Sequence, residues 1–517
     1  MNRRFGVFML VLALFLLWPC GADAGKKIKE GTITVSFGPG PVTMDPHTSS
    51  SAITSTVHRY VFDTLTHRPR GKAYPVPWAA KSFKNINPKL VEFQMREGVK
   101  FTNGEDVDAA AVKFSLMRPL AKNFKTVQRK RFKMIDRVEV VSKWVARVHM
   151  KYPDPNFPNR MANRGHLVPP KYYSRIKQKE AAIKPIGSGP YKMVRWRRGV
   201  ELAFEANPDY WHPEAPKVKG FRVVPIPEMG TRVAALLKGE VDVIRDIPGH
   251  FIPRIEANPN TKIITGLNGR MFRLSFVDDV GGGPTQDVRV RRAVAHAIDR
   301  DLIIKDVVQG YGAKVTQFLH QWTEGHDPDA KYPYQYNPEK AKKLLAEAGY
   351  PNGFSIDFIS ASGRYPKDKE VAEAVAGMLR KVGIRANYKA LKWRTYTNRF
   401  RGRFKPGRKS FMTYSGYGNG SGDSSGLFSS LATCGGGWSS YCNPALEKFL
   451  DVVNRTIDMK ERGRMFRALN EALVKDVGYV LIWQQVDVYG MNKKVMWKVR
   501  SDDRMYAFEM DIREPGN

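Results

Sequence analysis

The chain has 517 residues, of which 42% are hydrophobic and 26% charged, and its formal net charge is +35. This length predicts about two to four domains, and the composition is that of a globular protein with an ample core, which argues against a disordered chain. Such a basic excess raises nucleic acid and anionic membrane surfaces as partners. A solvated basic surface and the steering of anionic ligands are the alternatives.

The first residues have the pattern of a secretory signal peptide. Two arginines precede an apolar run at residues 5–18, and an Ala-x-Ala motif ends at Ala24. The run is too short to span a bilayer, so the sequence predicts an exported protein cleaved after Ala24. A lipoprotein anchor at Cys20 is the alternative, and the bulky Trp18-Pro19 before it disfavours that. Export also argues against nucleic acid as a partner.

The next part of the chain alternates short strands with helices. Strands are predicted at residues 32–37, 90–95, 138–141, 145–150, 191–196, 201–205, 221–224 and 241–244. Helices are predicted at residues 48–65, 107–117 and 228–237. Prolines punctuate residues 152–170, which predicts a long irregular connection there.

The remainder continues this alternation. Residues 270–276 begin a third region. Strands are predicted at residues 354–359, 384–390 and 480–485, and helices at 288–299, 302–308, 338–348, 369–382, 444–453 and 460–474. Residues 354–390 form a strand–helix–strand unit, which indicates an α/β fold with partly parallel sheets.

One glycine-rich stretch, residues 411–442, has distinctive chemistry. A short apolar run leads into glycines at 416, 418, 420 and 422, which allow close approach of another backbone or of a ligand. Asp423 follows and is the only acidic residue between Glu373 and Glu447. Such a carboxylate either caps a turn or serves a ligand, and on residue chemistry alone the cap is favoured.

Cys434 and Cys442 are the cysteines left after cleavage, and they are eight residues apart. In an exported protein such a pair most simply forms one disulfide, whose loop closure stabilises the fold by about 2.5 kcal/mol in the chain-entropy model. A metal site is not expected, because soft ligands come in threes or fours and no histidine lies near.

Catalytic motifs are weak. Residues 422–426 fit G-x-S-x-G with Ser424 as the nucleophile, but glycines precede the turn and Gly426 disfavours a helix after it. The sequence contains no phosphate-binding loop with its lysine and no H-E-x-x-H, and the glycines lack dinucleotide-binding spacing. These observations favour a binding protein without a cofactor over an enzyme.

Two basic stretches, residues 122–137 and 392–409, stand out along the chain. The second interleaves aromatic residues with its cations, which suits either nucleic-acid stacking or the apolar face of a basic amphipathic helix. We favour the helix.

Several ordered motifs resemble the family 5 extracellular solute-binding proteins, the periplasmic dipeptide- and oligopeptide-binding components of ABC importers. They are VFDTL at 61–65, PWAA at 77–80, FQMREGVKFTNG at 93–104, GSGPY at 187–191, NPDYW at 207–211, GEVDV at 239–243, DVRVRRA at 287–293 and AIDR at 297–300. Together they cover nearly the whole chain after the signal segment.

The resemblance implies a periplasmic-binding-protein fold with mixed sheets, a hinge and a ligand cleft between two lobes built from three domains. Domain I would comprise residues 25–57, 185–269 and 484–517. Domain II would be an insertion at 58–184, and domain III would span 270–483.

The resemblance also implies site residues. Dipeptide binders of this family hold the α-amino group of the ligand on an aspartate in a glycine-rich stretch, and Asp423 matches that position. Arg364, before the helix of the strand–helix–strand unit, is the nearest match to their carboxylate anchor. Peptide backbone would pair near Tyr414, Tyr417 and Gly418. Ser424 replaces the proline that commonly follows the aspartate, which leaves the register of the ligand open.

The implied function is capture of a short peptide by a monomeric, non-catalytic periplasmic protein that serves an inner-membrane ABC permease and its ATPase. The first alternative keeps the fold and binds a metal chelate such as a nickel complex, or glutathione, haem, an oligosaccharide or an anionic conjugate. The second is a secreted hydrolase that uses Ser424.

Overall fold

The structure, a computed structural model, describes residues 28–277, 282–401, 409–419 and 422–513. The predicted signal segment and the cleavage site after Ala24 lie outside the described residues, as does Gly420. Where the chain is described, no helix is both long and apolar enough to cross a membrane.

The strands in chain order are β1 Lys29–Ser36, β2 Thr66–His67, β3 Val76–Pro77, β4 Ala80–Asn87, β5 Leu90–Met95, β6 Ile135–Ser142, β7 Val145–Met150, β8 Tyr191–Arg197, β9 Glu201–Ala206, β10 Val218–Val223, β11 Val243–Arg245, β12 Thr261–Val277, β13 Gly312–Ala313, β14 Phe354–Ser362, β15 Ile384–Lys392, β16 Phe411–Gly418, β17 Tyr479–Asn492, β18 Val495–Met496 and β19 Asp511–Ile512.

The α-helices are α1 Ala52–Val61, α2 Ala109–Met117, α3 Arg129–Phe132, α4 Phe157–Arg164, α5 Pro170–Arg175, α6 Gln178–Ala181, α7 Met229–Leu237, α8 Ile252–Glu256, α9 Val288–Ala297, α10 Arg300–Leu302, α11 Pro338–Glu347, α12 Asp368–Lys381, α13 Trp393–Arg401, α14 Ser424–Leu431, α15 Pro444–Val453 and α16 Met459–Lys475.

Eleven of the described strands form one mixed sheet in the order β15-β14-β16-β12-β17-β11-β1-β10-β9-β8, with β13 on β17. β14 pairs in parallel with β15 and β16, and β1 with β10 and β11, whereas β12 pairs antiparallel with β16 and β17. A separate four-stranded sheet has the order β4-β5-β7-β6. The prediction of an α/β fold with mixed sheets is confirmed.

Two long strands join the halves of the large sheet. Residues 261–267 of β12 pair with 486–492 of β17, and after a shift in register residues 271–275 pair with 479–484. β11 pairs with the C-terminal end of β17, at residues 489–491, and β16 pairs with the C-terminal end of β12, at residues 270–277. The strand predicted at 480–485 is the N-terminal part of β17, and residues 270–276, predicted to begin a third region, lie in the C-terminal part of β12.

Three large apolar cores occupy different parts of the chain. One is built from residues between 271 and 483, a second from residues 33–62, 168–243 and 489–510, and a third from residues 65–167. The first and third cores fall within predicted domains III and II, whereas the second combines domain I with residues 60–62 and 168–181 of the predicted insertion, and the domain boundaries stay a prediction.

The prediction of an irregular connection at residues 152–170 is wrong in part. Phe157–Arg164 forms α4, and Pro158 lies in its first turn. A proline is accepted there because the first helical N–H groups have no partner within the helix, so its missing donor loses nothing. In this segment proline begins a helix.

Candidate functional site

Asp423 lies in the turn between β16 and α14, where the strand of the large sheet gives way to the helix. It is at the N-cap position of α14, yet its side chain accepts no hydrogen bond from the helix. The residue is only 4% exposed. Its buried carboxylate is therefore not the turn cap that residue chemistry alone favoured.

Arg160 of α4 is the cation next to this carboxylate. Its Nη2 lies 3.3 Å from Oδ2 of Asp423, and its Nε lies 2.9 Å from Oδ2 of Asp154. The two carboxylates raise the pKa of Arg160, overcoming the opposing effect of its burial. This ion pair links the insertion predicted at 58–184 with the C-terminal part of the chain.

Glu324 adds a third buried carboxylate beside the same helix start. It is 2% exposed, and its Oε2 lies 3.5 Å from Nη1 of Arg462. Burial raises the pKa of Glu324 to about 7; the guanidinium of Arg462 opposes the rise and the negative charge of Asp423 adds to it. Burial likewise raises the pKa of Asp154. The positive charge of Arg160 opposes this rise, and the negative charge of Asp423 adds to it.

The cluster has one more carboxyl group than guanidinium groups. Three carboxylates, those of Asp154, Asp423 and Glu324, share the guanidinium groups of Arg160 and Arg462. Oδ1 of Asp423 and both oxygens of Glu324 have no hydrogen-bond partner within the described residues. Because a buried carboxylate oxygen without a partner is unfavourable, the site is suited to receive a further cation.

A cavity of about 510 Å³ adjoins the cluster, and both Asp423 and Arg160 line it. Its other walls come from α3, α4, the start of α1 and residues 502–504 of the C-terminal segment. Elements distant in sequence therefore enclose a space beside the carboxylate of Asp423, whose Oδ1 is itself buried. The described residues contain no group of three or more histidine, cysteine or acidic side chains arranged to hold a metal ion.

The glycines before Asp423 make room for two arginines. A Cβ on Gly416 would lie 2.9 Å from Arg270 Cδ, and one on Gly418 would lie 3.4 Å from Arg270 Nη2. Gly422 has φ of +63°, and a Cβ there would collide with the guanidinium of Arg68. These glycines therefore allow arginine side chains of the same chain to approach the backbone closely.

The two tyrosines of β16 face different surroundings. Tyr414 is 1% exposed, and its hydroxyl accepts a hydrogen bond of 3.0 Å from Nε1 of Trp483 in the core. Its side chain therefore belongs to the core, and its backbone lies between β12 and β14 in the sheet. Tyr417 is half-buried, and its hydroxyl donates to the carbonyl of Gly426 at 3.4 Å.

Arg364 lies in the connection between β14 and α12, exposed beside the rings of Tyr365 and Trp393. The neighbouring Pro366 and Lys367 line a different cavity, of about 580 Å³, which also contacts residues 246–250 and 485–488. Arg364 and Asp423 therefore do not line one cavity in this conformation. They do follow adjacent parallel strands, β14 and β16, at the same edge of the sheet.

Ser424 is not placed as a nucleophile. Although Gly426 was expected to disfavour a helix after the turn, α14 begins at Ser424 and includes Gly426. Gly426 makes space for Asp423, whose Oδ2 would lie 3.1 Å from a Cβ there. However, Ser424 is fully buried and donates to the carbonyl of Glu324 at 2.9 Å, and no histidine of the described residues hydrogen-bonds to it.

The disulfide predicted between Cys434 and Cys442 is present. It follows α14 and closes the loop before α15, so it holds the far side of the glycine-rich stretch.

The family model described as bacterial extracellular solute-binding proteins, family 5 (middle), matches residues 74–439. The chain belongs to this family. Its members are solute-binding proteins, which is in keeping with a buried charged cluster beside a cavity.

Individual relatives are similar over nearly the full length. The chain is 25% identical over 522 residues to the glutathione-binding protein GsiB of Escherichia coli (O1:K1 / APEC), with 98% of each chain covered. Among solved structures, HbpA2 from Haemophilus parasuis superposes with a TM-score of 0.83 at 22% identity, covering 94% of this chain and 100% of that one. The periplasmic binding protein DppA from Helicobacter pylori, in complex with the peptide STSA, superposes at 0.71 with 23% identity, covering 94% and 99%.

Sequence reasoning missed the partners of Asp423. Arg160 lies in the segment predicted to be irregular, and Asp154, Glu324 and Arg462 carried no motif. The one local signal was the spacing of Arg160 and Arg164, which places both on one face once α4 is known to be a helix.

Proposed function

We propose that this family 5 protein captures a short peptide in the cleft beside α14, with the α-amino group of the peptide on Asp423. The observation that carries the proposal is that Oδ1 of Asp423 has no hydrogen-bond partner among the described residues, in a cluster of three buried carboxylates and two guanidinium groups. A ligand ammonium would complete the charge balance through a charge-assisted hydrogen bond.

The opposite end of the peptide would interact with Arg364. The position of Arg364 supports this assignment, because Arg364 follows β14, and β14 pairs with β16, the strand that leads to Asp423. Among described residues its side chain has no carboxylate within 4 Å, so the guanidinium is available for a ligand carboxylate. An arginine can bind a carboxylate with two parallel hydrogen bonds, which gives orientation as well as affinity.

Backbone of the peptide would run along the free edge of β16. β14 pairs with β16 only as far as Tyr414, so residues 415–418 have no strand on that side. Tyr365 donates to the carbonyl of Gly416 at 3.1 Å, which leaves Tyr417 and Gly418 as the wall beside the ligand. Backbone pairing of this kind tolerates varied side chains.

Delivery would follow the practice of the family. The protein would act in the periplasm after cleavage of its signal peptide behind Ala24, and pass its ligand to an inner-membrane ABC permease driven by an ATPase. Closure of two lobes about a hinge is a recognised mode for such proteins. The continuous strands β12 and β17 are the connection that would bend.

Calorimetry with the Asp423→Asn variant tests the amine anchor. We expect wild-type protein to bind a free-amine dipeptide and to lose about 2–5 kcal/mol of binding free energy, on the order of 30-fold or more in Kd, when Asp423 is replaced. N-acetylation of the peptide should cause a similar loss in wild-type protein and none in the variant, since both changes remove the same ion pair.

Asp287→Asn is the matched control, because Asp287 is also an N-cap aspartate, of α9, and caps its helix with its side chain. That variant should bind with wild-type affinity. Equal affinity of Asp423→Asn and wild-type protein for the free-amine peptide would refute the anchor.

Glutathione is a second candidate ligand, favoured by the full-length similarity to GsiB. It is itself a tripeptide with one amine and two carboxylates, so the same anchor would apply. Competition between glutathione and an alanine dipeptide in the calorimeter separates a dedicated glutathione site from a general peptide site.

A further inference from the structure

Besides Arg160, four cationic side chains line the 510 Å³ cavity next to Asp423. They are Lys130 and Arg131 of α3, Arg164 of α4 and Arg504 of the C-terminal segment. The residues come from three separate parts of the chain, so their convergence is a product of the fold. It is not a run of basic sequence.

Helix α1 holds two of these guanidinium groups in position. Arg164 donates from Nη1 to Oγ of Ser55 at 3.4 Å, and Arg504 donates from Nη1 to the carbonyl of Ala52 and lies 3.5 Å from Oγ1 of Thr56. These partners are neutral, so they fix the side chains without compensating their charge.

These four cations form no direct ion pair within the described residues, although Arg504 interacts at longer range with Asp502 and Asp503 and lowers the pKa of both. Among the described residues, none of the four cations lies within 4 Å of a carboxylate oxygen, although ion pairs are frequent elsewhere. Asp502 and Asp503 border the cavity, but Asp502 pairs with Arg500 at 2.8 Å and Asp503 accepts from Asn268 at 2.6 Å.

The electrostatic effect of this crowding is visible in the guanidinium groups themselves. Burial lowers the pKa of Arg164, and repulsion from Arg131 and Arg504 lowers it further. Burial and the charge of Arg504 lower the pKa of Arg131 in the same direction. An anion placed among them would relieve this repulsion.

We propose that Arg131, Arg164 and Arg504, with Lys130 at the rim, form a subsite for an anionic group of the ligand other than its α-carboxylate. The group is a side-chain carboxylate or a phosphate, since arginine recognises both through parallel hydrogen bonds. The proposal rests on the proposed capture of a ligand on Asp423, which lines the same cavity. The protein would thus select peptides that carry acidic side chains.

Three tripeptides that differ only in the middle residue test the subsite. They carry glutamate, glutamine or phosphoserine there, with free termini in each, and binding is measured by calorimetry at low and high salt. We expect wild-type protein to prefer the glutamate or the phosphoserine peptide over the glutamine peptide by on the order of ten-fold, and salt to reduce the preference. Whichever of the two anionic peptides binds more tightly shows whether the subsite prefers a carboxylate or a phosphate.

The Arg164→Gln and Arg504→Gln variants should each remove most of that preference while binding the glutamine peptide as wild-type protein does. Arg175→Gln, at an exposed position of α5 that does not line the cavity, is the control and should keep it. Circular dichroism verifies that each variant is folded.

Other outcomes are also decisive. Equal affinity of wild-type protein for all three peptides would overturn the subsite and leave peptide capture intact. If no peptide binds but inorganic phosphate binds wild-type protein and not Arg164→Gln, the subsite stands and peptide capture fails. If neither the peptides nor phosphate bind, the subsite is refuted as well.

Discussion

Asp423 and Glu324 differ in how their buried charge is compensated. Asp423 has the guanidinium of Arg160 at 3.3 Å, whereas Glu324 has only Arg462 at 3.5 Å with no hydrogen bond to either oxygen. Burial consequently raises the pKa of Glu324 to about 7, close to neutrality. Glu324 would then release its proton when a ligand ammonium reaches the cluster, so binding and protonation are coupled.

Replacing Glu324 with glutamine should change the pH dependence of stability. Between the ordinary pKa of 4.5 and about 7, the folded protein keeps a proton on Glu324 that the unfolded chain has lost. This group therefore makes the free energy of unfolding fall as pH rises through that window, by at most about 1.4 kcal/mol per pH unit. Urea unfolding at pH 5, 6, 7 and 8 should show Glu324→Gln becoming more stable relative to wild-type protein as pH rises.

Glu339→Gln is the control, since Glu339 is exposed on α11 and pairs with Lys342 one helical turn away. Its profile should follow that of the wild type. Parallel profiles for Glu324→Gln and wild-type protein would contradict the account of the cluster.

Among the secondary-structure elements, β16 leads into the site, and its backbone packs closely against side chains of the neighbouring strand β12. Gly416 lies above Phe272, whose ring is fully buried and stacks on Trp483 at 4.2 Å between centroids. Arg270 covers both Gly416 and Gly418. The alternating glycines are therefore a packing requirement of the sheet before they serve any ligand.

Gly416→Ala should destabilise the protein and Gly418→Ala should not. A Cβ at 416 would lie 2.9 Å from Phe272 Cε1, a ring without room to move, and overpacking of this kind costs about 1–3 kcal/mol. A Cβ at 418 would meet only the flexible end of Arg270 at 3.4 Å. Denaturant midpoints of the two variants check this, and equal midpoints would show that the contact at Gly416 relaxes freely.

Much of the element pattern is predictable from the sequence because it depends on local periodicity. β5 and α15 have the predicted bounds, and the parallel pair β14 and β15 enclosing α12 is the predicted unit. The amphipathic helix predicted at 392–409 is present as α13, with the aromatic side chains Tyr396 and Phe400 buried, though residues 402–408 lie outside the described part.

The misses have tertiary causes. α14 begins at Ser424 despite Gly426, and tertiary hydrogen bonds hold its first turn, from Ser424 to the carbonyl of Glu324 and from Arg462 to Ser425. β12 and β17 are long because they pair with each other across both lobes, which no local window reveals. Asp423 was identifiable as an isolated carboxylate and by family resemblance. Its ion-pair partner was not, because that contact joins distant segments.

For the whole molecule, the ion pair of Arg160 with Asp423 and the continuous strands β12 and β17 join parts of the chain with separate cores. The proposed ligand would lie between these parts and contact more than one of them. Ligand binding would therefore favour the conformation in which they are closest, by the difference in its affinity for the two arrangements.

Mass spectrometry of the material that co-purifies with wild-type protein and with Asp423→Asn tests the central claim most directly. The account predicts a free-amine peptide, enriched in acidic side chains, on the wild-type protein and little or none on the variant. A ligand without an amine, such as a sugar or a metal chelate, retained equally by both proteins would contradict it.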